Sequence, residues 1–335
     1  MCTLHTTVAP SNICNVHTST YRIGLLAGVV SMLAYGTAFV VPETLPQVSA
    51  VEITLGRYVV YGMLSAALLL TSAHASWRRW DRRTWGTAVL LALTGNVGYY
   101  LFVVLAVQRA GAPLTALVVG ALPVTLAVVG SRADLASLRA LAPALALTVT
   151  GLALVNVTAL TDSSDPRGST AWGVVAAVAA LASWTWFALG NARFLAAHPD
   201  IGPTLWASVL GVTGLVWTLP VVGIMLTSGR QITATRQPLG YLIGILVLGV
   251  VTSWIAAAAW NRAATALPVT LAGQLVVIET VAGTAYSYLN HQSLPNSAVL
   301  AGLALLVAGV VLAVRTARPE PHAVAARRPQ PNAIG

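Results

Sequence analysis

The sequence predicts an all-α membrane protein, with ten transmembrane helices arranged as two inverted five-helix repeats around a central cavity. Three observations lead there. The 335-residue chain is 57% hydrophobic and only 8% charged, whereas a soluble domain carries about 25% charged residues. Its apolar residues fall into ten runs, each near the roughly 20 residues that cross a bilayer. Two stretches of the first half recur in the second.

The composition is decisive because a soluble surface needs charge for solvation; with so little of it, the surplus apolar surface must face lipid. All 18 basic residues are Arg and the net charge is +9. Apart from Arg57, which falls inside a run, these arginines sit in loops between apolar runs instead of forming one continuous face, which argues against nucleic acid as a partner. Cys2-x-x-His5 and Cys14-x-x-His17 have a zinc-like spacing. The segment has few apolar residues to fold around an ion, so no metal and no cofactor are expected. Residues 1–21 read as a disordered tail, without the basic start and long apolar stretch of a signal peptide.

The expected spans are 22–41, 52–71, 86–107, 112–130, 140–157, 172–190, 203–226, 240–260, 268–289 and 296–314. Pro113, Pro203, Pro268 and Pro295 mark starts, where a missing N–H costs little. Pro123 falls inside the fourth run, where it removes a backbone bond and kinks the helix, freeing carbonyls. Pro113, Pro123 and Pro268 are therefore the candidate kink or gating positions. The arginines set the orientation. With the N-terminus inside, Arg22, Arg78, Arg79, Arg82, Arg83, Arg132, Arg139, Arg193, Arg262, Arg315, Arg318, Arg327 and Arg328 fall inside. Arg109, Arg167, Arg230 and Arg236 fall outside. This bias puts both termini in the cytoplasm.

The repeat appears at two places. Gly24 to Phe39 aligns without a gap onto Trp172 to Phe187. Gln108-Arg109-Ala110 followed by Pro113-Leu114-Thr115 mirrors Asn261-Arg262-Ala263 followed by Pro268-Val269-Thr270. Each half holds five spans, an odd number, so the second enters the membrane upside down. Arg109 then lies outside and its counterpart Arg262 inside. Such inverted repeats recur in transporters, where one unit in two orientations supplies inward-open and outward-open states of similar energy.

The run Gly28 to Phe39, the segment Glu52-Ile53-Thr54-Leu55-Gly56-Arg57-Tyr58 and the junction Gln108 to Pro113 carry a resemblance. Together with the order of all ten segments, they resemble the drug/metabolite transporter superfamily with two tandem EamA-type halves, and within it the YddG-type aromatic amino-acid exporters. The resemblance covers about residues 22–315. It implies a basket of helices around a central cavity with the fifth and tenth helices peripheral, a bacterial inner membrane location, and amino acids as the substrate. The resulting division is 1–21 cytoplasmic tail, 22–157 first repeat, 158–171 periplasmic linker, 172–315 second repeat and 316–335 cytoplasmic tail. A monomer in contact with membrane lipid is expected.

Several residues are candidates for substrate binding. Glu279 lies near the middle of the ninth span, where a carboxylate is expensive and faces the interior. It suits an ammonium or a coupling proton, or a structural pairing with Arg57. Arg57, near the outer end of the second span, suits a substrate carboxylate, with snorkelling or pairing to Glu43 or Glu52 as the alternative. Tyr35, Phe39, Tyr99, Trp184, Trp186 and Trp254 would wall a cavity for large apolar side chains, or meet lipid. Asn96 and Gln274 are intramembrane amides that pack on a neighbouring helix or touch solute.

An enzyme would need His, Cys, Ser or paired Asp in the spans. All six histidines lie in tails or loops and no Asp lies within a span. Rings of like charge, expected of a channel, are absent. One basic and one acidic group among aromatics suit a zwitterion with an apolar side chain. The expected function is export of amino acids, aromatic and other, by alternating access. The alternative is export of other amphipathic metabolites or toxic organic cations, with Glu279 as the cation site.

Overall fold

The structure is a computed structural model that describes residues 10–45, 47–71, 75–110, 115, 118–130, 135–161, 167–227 and 233–316. Among these residues there is no strand, and nine helices are long and apolar enough to cross a membrane. The helices are α1 (Pro10–Thr44), α2 (Ala50–Thr71), α3, α4 (Leu122–Gly130), α5 (Leu135–Thr161), α6 (Arg167–Ala197), α7 (Pro203–Thr227), α8, α9 and α10 (Ser297–Thr316). In α3, Arg82–Ala92, a wide π turn at Leu93–Val97 and Gly98–Ala110 run on continuously. In α8, Pro238–Leu246, a longer π turn at Val247–Ile255 and Ala256–Ala266 do the same. In α9, Val269–Leu275 and Val277–Asn290 meet at a tightened turn.

Two expectations change in detail. The first helix begins at Pro10, so residues 10–21 extend α1 where the sequence reads as a disordered tail. A proline suits the first turn, and once the apolar run has nucleated the helix, adding residues to it costs little. The helices flanking the expected 158–171 linker also run past their spans, to Thr161 and from Arg167. Pro113 and the start of the fourth span lie outside the described residues.

The packing is that of two inverted units. α1 packs on α8 and α9, and its repeat counterpart α6 packs on α3 and α4. α2 packs on α7, and α5 on α10. α5 and α10 otherwise touch only their neighbours α4 and α9 in quantity. The π turns fall in α3 and α8, which are repeat counterparts. The tightened turns fall in α4 and α9. Ala121 N–H donates to the Val118 carbonyl at 3.1 Å and Val124 N–H to that of Ala121 at 3.0 Å. In the same register of the second copy, Val276 N–H donates to Gly273 at 3.2 Å and Glu279 N–H to Val276 at 3.0 Å. Irregular turns inside spans are tolerated where they are buried in protein, and they are common at transport sites.

Without a hydrophobic drive between helices in lipid, close backbone approach through small residues becomes the main adhesive. The α5–α10 seam shows it: a Cβ added at Gly151 would lie 2.8 Å from the Gly302 carbonyl, and one at Gly302 would lie 2.8 Å from the Gly151 carbonyl. Gly302→Leu should therefore push the two helices apart and lower stability by about 1–3 kcal/mol. The check is thermal unfolding of the purified protein; an unchanged midpoint would contradict this seam.

Candidate functional site

The site forms where α1, α2, α3, α8 and α9 converge. Gly36 lets α1 approach α9 closely, since a Cβ there would sit 2.7 Å from Ala282 Cβ and 3.0 Å from Gly283 N. That approach brings Tyr35 beside the middle of α9. The π turn of α8 carries Thr252 and Ser253, both buried. Thr252 meets Thr37 of α1 through their hydroxyls, and Ser253 Oγ donates back to the Leu248 carbonyl at 2.8 Å. With that hydroxyl proton committed, Ser253 Oγ is free to accept, and Arg57 Nε donates to it at 2.9 Å. Arg57 Nη2 reaches the Thr252 carbonyl at 3.5 Å. The guanidinium also lies over the rings of Tyr58 and Tyr100, 5.5 and 5.9 Å from their centroids, an arrangement favourable to a desolvated cation.

Glu279 follows the tightened turn of α9 and is half-buried. Its carboxylate accepts no hydrogen bond from a described residue, and Arg57 is the charge that acts on it. Tyr35 and Tyr99 lie within electrostatic reach of both Arg57 and Glu279. Arg57, Tyr35, Tyr99 and Tyr100 are likewise half-buried, so the cluster is not a closed core. A guanidinium and a carboxylate thus share one intramembrane cluster without forming an ion pair. Glu43 and Glu52, the simpler partners of Arg57 in the sequence, are engaged elsewhere: Glu43 Oε1 accepts from Ser287 Oγ at 2.7 Å, and Glu52 Oε2 from Ala234 N–H at 3.1 Å.

The other candidates disperse. Asn96, in the π turn of α3, is half-buried, with its amide nitrogen near Gly214 of α7. Gln274 is fully buried; its Nε2 donates to the Pro123 carbonyl at 3.4 Å and its Oε1 has no partner. It links the interrupted regions of α4 and α9. Trp254 Nε1 donates to Ser208 Oγ at 3.0 Å, which ties it to α7. Trp184 is packed in the core, 5.3 Å from Trp260 and 6.1 Å from Phe187 between ring centroids. Trp186 is 48% exposed and continues the outward stripe Val175, Val178, Ala182 along α6. Phe39 is in α1, and its side chain lies outside the described residues. Pro268 begins α9 without bending it, its carbonyl accepting from Leu271 and Ala272. Pro123 is buried in the first turn of α4, directly after the interruption at Ala121. Tyr58, Thr252 and Ser253 belong to the cluster but not to the sequence-derived set; hydroxyls in an Ala/Val-rich span are too common to single out.

The two ends of the bundle differ. On the side where α1 begins, Trp206 Nε1 donates to Asn191 Oδ1 at 2.7 Å, Asn191 Nδ2 to Asn261 Oδ1 at 2.9 Å, and Asn261 Nδ2 to the Pro203 carbonyl at 3.3 Å. All three side chains are essentially inaccessible. Phe194 stacks on Trp206 at 4.0 Å and Trp80 lies 6.1 Å from it. On the opposite side, the ends of α1 and α9 are joined by Glu43, Ser287 and an exposed His291, whose Nε2 is 3.4 Å from Glu43 Oε2. One end is sealed by a buried network, the other by a wet contact.

Residues 22–157 match the EamA-like transporter family. The chain is also similar to the inner membrane protein YtfF of Escherichia coli (strain K12), 34% identical over 316 residues, which cover 89% of this chain and 96% of that relative. A protein of known crystal structure shares the fold, with a TM-score of 0.71 and 18% identity, covering 89% of this chain and 97% of the other. Ten apolar runs, the inverted packing of their helices, the family match over residues 22–157 and the 34% identity to YtfF lead to one assignment: the chain belongs to the EamA-like transporter family.

Proposed function

We propose that the protein exports amino acids, aromatic and other, across the bacterial inner membrane by alternating access, with Arg57 holding the substrate carboxylate and Glu279 its ammonium. The observation that carries this reading is the separation of two opposite charges inside one membrane-embedded cluster. Charges in low dielectric are costly unless paired, so an unbridged pair favours a ligand that brings the complementary charges with it. An amino acid has them on one carbon. Tyr35, Tyr99 and Tyr100 offer flat walls and hydroxyls for the side chain. The inner-membrane location follows the name of the relative, and the cytoplasmic termini follow the arginine bias. The sealed end then faces the cytoplasm.

The test is purified protein in liposomes loaded with labelled phenylalanine or methionine. Release well above that of empty liposomes supports the reading; no release for any amino acid overturns it. A second reading has one specific observation behind it. Arg57 is already engaged by Ser253 and Thr252, whereas the Glu279 carboxylate accepts no hydrogen bond from a described residue. A site with one free carboxylate among aromatic rings also suits amphipathic organic cations, and release of a labelled lipophilic cation in place of amino acids would favour it.

A further inference from the structure

Away from the polar cluster, a groove of about 260 Å³ opens on the outer surface of the bundle between α3 and α6. Phe102, Leu105, Val175 and Ala179 line its length, and Arg109 and Trp172 stand at one end. The helices run antiparallel here, since Ser183 Oγ donates to the Thr94 carbonyl while Gly173 touches Ala110. Arg109 in the last turn of α3 and Trp172 near the start of α6 are therefore at the same level, opposite the sealed end. Phe102 lies seven residues before Arg109, about 10 Å deeper at the helical rise. The groove thus runs along the helix axes from an Arg–Trp mouth into purely apolar walls. Arg109 is exposed, and no described carboxylate pairs with it.

The repeat supplies an internal control. Trp172 corresponds to Gly24 on α1, and Ala176 to Gly28. A Cβ at Gly24 would lie 2.6 Å from Ala266 Cβ, and one at Gly28 2.4 Å from Leu275 Cδ1. At these positions α1 closes on α8 and α9, whereas at the equivalent positions of α6 the larger Trp172 and Ala176 line the groove. Arg262, the counterpart of Arg109, is likewise exposed, at the sealed end.

We propose that this groove is a binding site for an anionic phospholipid of the leaflet facing away from the sealed end, with one acyl chain between α3 and α6 and the phosphodiester on Arg109. A bare hydrocarbon slot would bind any acyl chain. A guanidinium at its mouth adds charge-assisted, bidentate recognition of phosphate, and Trp172 is the kind of residue that sits at headgroup level. A zwitterionic lipid places an ammonium near the same guanidinium and is disfavoured relative to an anionic one.

The experiment is native mass spectrometry of the purified protein titrated with phosphatidylglycerol or phosphatidylethanolamine of identical acyl chains. The wild type should retain phosphatidylglycerol several-fold better. Arg109→Gln should remove that preference while phosphatidylethanolamine retention stays the same. Arg262→Gln should leave the preference intact, and Val175→Trp, which fills the groove, should lower retention of both lipids. Equal retention of the two lipids by the wild type would overturn the site, as would a preference that survives Arg109→Gln or is lost equally in Arg262→Gln.

Discussion

Glu279→Gln should weaken amino-acid transport by about 10- to 150-fold. A hydrogen bond to a charged group is worth about 1.5–3 kcal/mol, and each 1.4 kcal/mol is tenfold in affinity. Gln keeps the size of the side chain and an acceptor oxygen but loses the charge that would meet an ammonium. Arg57→Gln should produce a loss of the same order, because a zwitterion must satisfy both ends. Initial rates in liposomes over a range of substrate concentrations would test the pair, with the loss expected in the half-saturating concentration. The comparison between variants is the informative part. If Glu279→Gln abolishes transport of a lipophilic cation and Arg57→Gln leaves it untouched, the substrate has one charge and the zwitterion reading fails. Because Arg57 also holds Ser253, its variant needs a melting measurement beside the transport assay, to separate a lost ligand contact from a loosened α2–α8 seam.

Asn191→Leu should be the most destabilising single change at the sealed end. It leaves Trp206 Nε1 without an acceptor and Asn261 Oδ1 without a donor, where neither can reach water. Each orphaned buried group costs about 1–3 kcal/mol, so the two together amount to roughly 2–6 kcal/mol. Leu approximates the shape of Asn, so the loss would report unmet polar groups and not a cavity. Thermal unfolding in detergent would show it as a clear drop in midpoint; a midpoint matching the wild type would mean that these bonds contribute nothing. Transport should suffer as well, because the network joins α6, α7 and α8 at the sealed end, which the proposed alternating access requires to open.

What could be read from the sequence follows from which physical signals are local. Apolar runs of bilayer length are local, so nine of the ten spans were legible to within a turn or two. The Arg109 and Arg262 junctions carried the inversion, which the packing of α1 on α8 and α6 on α3 reproduces. Arg57 and Glu279 stand out because a charge inside a span has few bland explanations. The aromatic residues were far less legible. Trp184, Thr185 and Trp186 are consecutive, and a helix sends them to different faces: Trp184 into the core, Trp186 outward. Composition alone does not fix that rotation, since an Ala/Val-rich helix lacks the polar stripe that would orient it. The turn at Val276 was illegible for another reason. Its counterpart in α4 has Pro123 to mark it, while the second copy achieves the same geometry with Val276, Val277 and Ile278, where no residue is forbidden a helical hydrogen bond.

One consequence of the packing concerns how the chain comes to be folded at all. The long seams join α1 to α8 and α9, α2 to α7, α3 to α6 and α5 to α10, so α1, α2 and α3 find their main partners in residues made later. As ribosomes thread the first five spans into lipid, the faces bearing Gly36, Gly151 and Tyr61, whose hydroxyl donates to the Ala207 carbonyl of α7 at 2.6 Å in the folded protein, still have only hydrocarbon to touch. Rigidity arrives late in biogenesis, when the tenth span inserts and the glycine crossing with the fifth can close. A chain halted midway would leave loosely associated helices in the bilayer, a natural target for membrane quality-control proteases.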